Sequence, residues 1–168
     1  MKAVRTLLFA AVIGLAFATA SFAKDMKIGY VDLARLFDNY QKTKEYDGVL
    51  QKEGDAFQKE RDVMINKIRD AQGRLALLKE DEKQKLLTDI EKQKTDLIEF
   101  DKQKRTELAK KRDDKVREIL LEIEKIVSDI AKKDSYDYVL NDRVLMYADP
   151  GQNITDRVLK QLNDSYKK

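Results

Sequence analysis

The chain has 168 residues, with 34 Lys or Arg, 31 Asp or Glu, a formal net charge of +3, and neither His nor Cys. Lacking those two residue types, it has no disulfide, thiol nucleophile, imidazole base or zinc site of the usual ligands. One Pro, six Gly and 39% charged residues argue against a turn-rich β-sandwich and for long solvated helices.

Residues 1–23 carry Lys2 and Arg5, then an uncharged apolar core from Leu7 to Ala18, then Ser21-Phe22-Ala23 with small residues at A-x-A-like positions. This is the layout of a cleaved signal peptide, because so short a core falls below the ~20 residues that span a bilayer. Its removal leaves 32 basic against 31 acidic residues, a net charge of +1. Such a balanced chain has no field suited to nucleic acid, and none is expected as a partner.

A short strand over residues 26–31 follows, with Ile28 and Tyr30 on one face and Val31 on the other. Asp32 is placed to cap a helix. Residues 33–133 contain no Pro, and residues 74–149 contain neither Gly nor Pro. Leu50, Gly54, Phe57, Arg61, Met64, Ile68, Ala71, Leu75 and Leu78 alternate steps of four and three, the spacing of a coiled-coil seam. A second seam runs through Val116, Ile119, Ile123, Ile126 and Ile130, with Leu87, Ile90 and Leu97 extending it toward the helix start. Residues 101–115 hold seven basic and four acidic residues, with Leu108 and Ala109 alone apolar, so the seam is weak there.

For these seams to bury each other the chain must fold back. The expected break is at residues 79–82, where the register resets and Asp81 with Gln84 forms a capping-box-like pair. Phe57 then falls near Leu108, and Leu36 and Phe37 near residues 127–130. One continuous rod in an intermolecular coiled coil is the alternative. Beyond residue 133, residues 136–140 and 144–147 read as a β-hairpin around Asn141-Asp142-Arg143. Thr155 is placed to cap a last helix with Val158, Leu159 and Leu162 on its apolar face. So small a β-rich body buries little apolar surface and should oligomerise. Ile28, Tyr30, Val31, Val139, Leu140, Val144, Leu145 and Met146 are the residues expected to build it.

The expected fold is α+β and mostly α: a long antiparallel helical hairpin, or coiled-coil arm, on a small β-rich oligomerisation body with a short C-terminal helix. Its parts are a signal peptide (1–23), a body (24–32 plus 134–168) and an arm (33–133) with its tip near 79–82. Taken together, the opening strand, the breaker-free hairpin, the strands at 137–140 and 144–149 and the closing segment 153–162 resemble the Skp/OmpH family of periplasmic outer-membrane-protein chaperones. The resemblance covers essentially the whole mature chain and is most specific in that closing segment. It implies a homotrimer whose arms surround a cavity and take up unfolded outer-membrane proteins without ATP. Residues 66–94 hold eight basic and six acidic residues, and Glu80, Asp81 and Glu82 sit at the expected tip, so no residue is assigned to lipopolysaccharide.

Seam residues exist to bury one another, which leaves client contact to residues beside the seam: Val63, Ile65, Leu77 and Ile98. Transient contact with a membrane surface is a further expectation for such a protein. No phosphate loop, dinucleotide fingerprint or nucleophile elbow occurs, and no cofactor, metal or enzymatic activity is expected. The function expected is that of an ATP-independent periplasmic holdase. The alternative is a structural coiled coil that spaces or bridges envelope components.

Overall fold

The computed structural model describes residues 25–167; the expected signal peptide lies outside them. Strand β1 (Ile28–Val31) leads through Asp32 into helix α1 (Leu33–Asn39), and Asp32 Oδ1 accepts the Arg35 N–H at 2.8 Å as the N-cap. The chain then breaks at Tyr40, whose backbone is extended, and resumes as helix α2 (Gln41–Arg74). A 3₁₀ turn at Leu75–Leu77 and two extended residues, Leu78 and Lys79, reverse it into helix α3 (Glu80–Lys133). At 1.5 Å per residue, α3 is roughly 80 Å long.

Helix α2 packs antiparallel on α3, as expected of the hairpin. The reversal comes slightly earlier than the sequence suggested. Lys79 is the N-cap of α3 and makes no side-chain cap bond, while Glu80, Asp81 and Glu82 occupy the first helical turn. There their charges favour the positive end of the helix dipole, so the acidic run starts the helix rather than forming the loop.

Strand β2 (Tyr138–Asn141) returns beside β1 in parallel, with Ile28 opposite Tyr138 and Val31 opposite Asn141. A parallel pair needs a crossover connection, and the whole arm provides it. Gly29 makes room in this pairing: a Cβ there would lie 3.0 Å from the Tyr136 ring and press it aside. Helix α3 ends in a Schellman motif, in which the Tyr136 N–H reaches Ala131 O at 2.9 Å and Ser135 takes φ 56°.

The expected second strand at residues 144–147 does not form. Asn141 Oδ1 accepts the Arg143 N–H, Asp142–Val144 coils into a 3₁₀ turn, and the chain runs on without regular structure. This local turn takes the place of the reversal a hairpin needs, so residues 144–147 are not laid along the other edge of β2. Helix α4 (Thr155–Tyr166) closes the fold. Thr155 is its first residue rather than its cap, and its buried hydroxyl accepts the Asp32 N–H at 2.9 Å, tying α4 to the start of α1.

One core gathers Val31, Leu36, Tyr40, Ile119, Ile123, Ile130, Ile154, Val158 and Leu162, with Phe37, Ile126 and Val127 packed against it. Leu36 and Phe37 thus share this core with Val127 and Ile130, as their spacing implied. A second, small cluster of Ile68, Ala71 and Ile90, flanked by Leu75, Leu86 and Leu97, holds the far end of the arm.

Candidate functional site: the helical arm and its exposed apolar side chains

The seam read from α2 is the seam observed. All nine positions from Leu50 to Leu78 are buried or half-buried, as are Val116, Ile119, Ile123, Ile126 and Ile130. On α3 one residue is displaced. Leu86 packs into the far cluster while its neighbour Leu87 is exposed. Mid-arm, the Phe57 ring lies 5.6 Å from that of Phe100, and both Phe57 and Leu108 line a cleft of about 220 Å³ together with Ala56, Glu53 and Lys111. The weak seam at 101–115 is therefore an incompletely filled stretch, bridged by ion pairs. Arg61 Nε donates to Asp101, and Lys111 Nζ donates to Glu53 at 3.0 Å.

A denser polar network holds the arm at its root. Lys42 Nζ donates to Glu118 at 2.6 Å and to Glu122 at 2.5 Å, Lys115 donates to Glu118 at 2.6 Å, and the Tyr40 hydroxyl donates to Glu122 at 2.8 Å. Hydrogen bonds from Lys115 and Lys42 hold the Glu118 carboxyl down at about 2. Burial lowers the pKa of Lys42, yet its bonds to Glu118 and Glu122 outweigh that and raise it. Burial, and then donation to a carboxylate, pushes the Tyr40 phenol up. Each partner stabilises the protonation state the other needs.

Three of the four residues singled out for client contact project from the arm: Leu77 is 85% exposed, Ile98 68% and Val63 53%. Ile65 is half-buried instead. Val49, Leu87, Leu120 and Leu121 are also exposed, although the spacing places Leu87 in the seam. Leu87, Ile98, Ala109 and Leu120 recur every eleven residues, about three helical turns, so they lie along one side of α3. The pattern was available in the sequence, but steps of eleven are hidden beneath the denser three-four seam.

The eight residues expected in the body separate into two groups. Ile28, Tyr30 and Val31 on β1 and Val139 and Leu140 on β2 are brought together in the paired strands, with Val31 buried. Val144, Leu145 and Met146 lie beyond the sheet, and Met146 (104% exposed), Val144 and Tyr147 stand in solvent with Tyr138. Among the described residues no cluster of acidic side chains is placed to hold a metal ion, and no helix is long and apolar enough to cross a membrane.

A family model described as outer membrane protein (OmpH-like) matches residues 27–162. Among solved structures, the chain is similar to a candidate outer membrane chaperone (OmpH-like) from Caulobacter crescentus CB15. The two are 14% identical with a TM-score of 0.72, over 83% of this chain and 85% of that one. At this identity the likeness speaks for the fold alone. No curated protein matches.

Proposed function

The chain belongs to the OmpH-like family of outer membrane proteins, and on that premise we propose that it is an ATP-independent holdase that keeps unfolded outer-membrane proteins from aggregating in the periplasm. The family is one of non-enzymatic chaperones. Three side chains carry the reading: Val63, Leu77 and Ile98 stand out from an arm whose seam is already satisfied without them. They stand on α2, on the 3₁₀ turn at the tip and on α3, with Asp62, Lys79 and Glu99 close by in sequence. An unfolded barrel protein exposes alternating apolar residues and unpaired backbone. Many weak contacts at separate points retain such a chain through effective concentration, although each alone is poor.

We assign the body to residues 24–32 and 134–168, the arm to 33–133, and residues 1–23 to a cleaved signal peptide. A two-stranded sheet is marginal by itself. Exposed Tyr138, Val144, Met146 and Tyr147 beside it supply apolar surface for further copies of the chain. Ile28, Tyr30, Val31, Val139, Leu140, Val144, Leu145 and Met146 form the oligomerising body in this reading, and three copies enclose a cavity between their arms. Client contact falls to Val63, Leu77 and Ile98, with Ile65 contributing from beside the seam.

The deciding experiment dilutes an outer-membrane protein from urea into buffer with and without this protein, in the absence of nucleotide, while light scattering gives the chaperone's mass. Suppressed aggregation near one trimer per client is expected. A protein that leaves aggregation unchanged would instead be a spacer of the cell envelope.

A further inference from the structure

The root of the arm has two legs, and they are fixed differently. Helix α3 runs unbroken into the core and buries Ile119, Ile123 and Ile130 there. Helix α2 does not: it starts fresh after the break at Tyr40, and its own N-cap residue makes no side-chain cap bond. A helix start leaves N–H groups without intrahelical partners. The acceptor for the first of them comes from the other end of the chain, because Asn163 Oδ1 on α4 takes the Gln41 N–H at 2.9 Å. Two further contacts from α4 land within the same stretch. The Tyr166 ring meets the Tyr40 ring edge-on at 5.8 Å, and the Tyr166 hydroxyl donates to Glu45 at 2.6 Å.

Here α4 spans rather than fills. A cleft of about 470 Å³ opens between its end, the Tyr40 break and α3, lined by Tyr40, Lys42, Glu122, Ile126, Leu162 and Tyr166. Val158 and Leu162 anchor α4 in the core, and Tyr166 in its last turn packs on the edge of the same cluster while its hydroxyl and Asn163 reach α2.

We propose that the end of α4 is a clamp on the arm, with Asn163 and Tyr166 as positioning residues that keep α2 seated and thereby limit how far the arm swings against the body. With both legs fixed, bending requires one helix to shorten against the other, and the arm is stiff. Once the α4 contacts open, α2 is held at the root only through Tyr40 and the Lys42 ion pairs to α3, and the arm bends more readily. The lever is long: α2 extends roughly 50 Å, so a 10° change at the root moves the tip by roughly 9 Å.

The inference does not rest on the holdase reading, and its test needs no client. The chain has no cysteine, so spin labels can be placed on cysteines introduced at Gln58 on α2 and Arg143 in the body. Labelled chain is diluted into unlabelled chain, and the distance distribution is measured by pulsed electron resonance. The variant combining Asn163→Ala with Tyr166→Phe is expected to broaden that distribution at least twofold. It should also speed amide exchange at residues 41–46. Asn163→Asp retains an acceptor suited to a helix start and is expected to stay as narrow as wild type. An unchanged width in the double variant, or equal broadening in Asn163→Asp, overturns the clamp. If the double variant fails to fold by circular dichroism, the same criterion is read from Tyr166→Phe alone, which keeps the ring and loses only the hydroxyl.

Discussion

Arg61 on α2 and Asp101 on α3 face each other across the middle of the arm, the Arg61 Nε reaching both carboxylate oxygens at 3.1 and 3.2 Å. Arg61 occupies a seam position that its neighbours fill with apolar groups, and the pair is largely shielded from water. Arg61→Ala leaves the Asp101 charge without its partner and is expected to destabilise by about 1–2 kcal/mol, between the ranges for exposed and buried pairs. Replacing both residues by Leu should restore or exceed wild-type stability. Chemical denaturation of the two variants checks this.

Acid should act through Glu118. Its carboxyl, held at about 2 against an ordinary value of 4.5, contributes stability that is fully present above pH 4.5 and is lost as pH falls toward 2. Melting temperature followed across that window should decline less steeply in Glu118→Gln than in wild type. Equal slopes would mean that other carboxylates carry the acid response.

Ser135 takes φ 56°, a left-handed conformation unfavourable for a side chain with a Cβ, at the point where α3 stops. Ser135→Gly is expected to stabilise by about 0.5–1 kcal/mol, the gain being reduced by glycine's greater freedom in the unfolded chain. Thermal melting measures it directly.

The unfilled stretch around Ala56 and Leu108 should be where the arm flexes. Gly54 lies beside it, and a Cβ there would meet nothing within 4 Å. Amide exchange at residues 48–58 and 101–115 is expected to outpace that at 116–130. Gly54→Ala should slow exchange locally and stabilise by about 1 kcal/mol. Uniform protection along α3 would contradict this placement.

Changing Val63, Leu77 and Ile98 to Ser removes exposed apolar groups that the arm does not need for its own packing. Stability should stay within about 0.5 kcal/mol of wild type. Aggregation suppression should fall by roughly half or more if effective concentration is built from such points. Full retention of suppression would move client contact elsewhere on the chain.

Much of this architecture was legible because the three-four spacing of α2 leaves one solution for which side faces its partner. Adjacent leucines defeat that logic. Both Leu86 and Leu87 continue a seam, and only the packing of the far cluster selects Leu86. The break at Tyr40 has no Pro or Gly to announce it, because the acceptor that permits a new helix start is Asn163, 122 residues away. Residues 144–147 have strand-forming side chains, yet the 3₁₀ turn at Asp142–Val144 replaces the reversal that would lay them along β2, so composition misled where pairing decides. Among the arm's exposed apolar residues, Val63, Leu77 and Ile98 could be read as lying off the seam, whereas half-buried Ile65 lies close enough to be shielded by it.

Because β1 and β2 run parallel, everything between them, residues 32–137, is a single excursion that leaves the sheet and returns to it. The two strands register only where the helices end. Seven residues added to α2 and seven to α3 would lengthen the excursion by about 10 Å and leave every strand contact in place. The entropic cost of closing a longer loop rises only logarithmically. Arm length is therefore free to drift over evolutionary time in matched steps, and descendants of one body can carry short or long reach without redesigning the sheet.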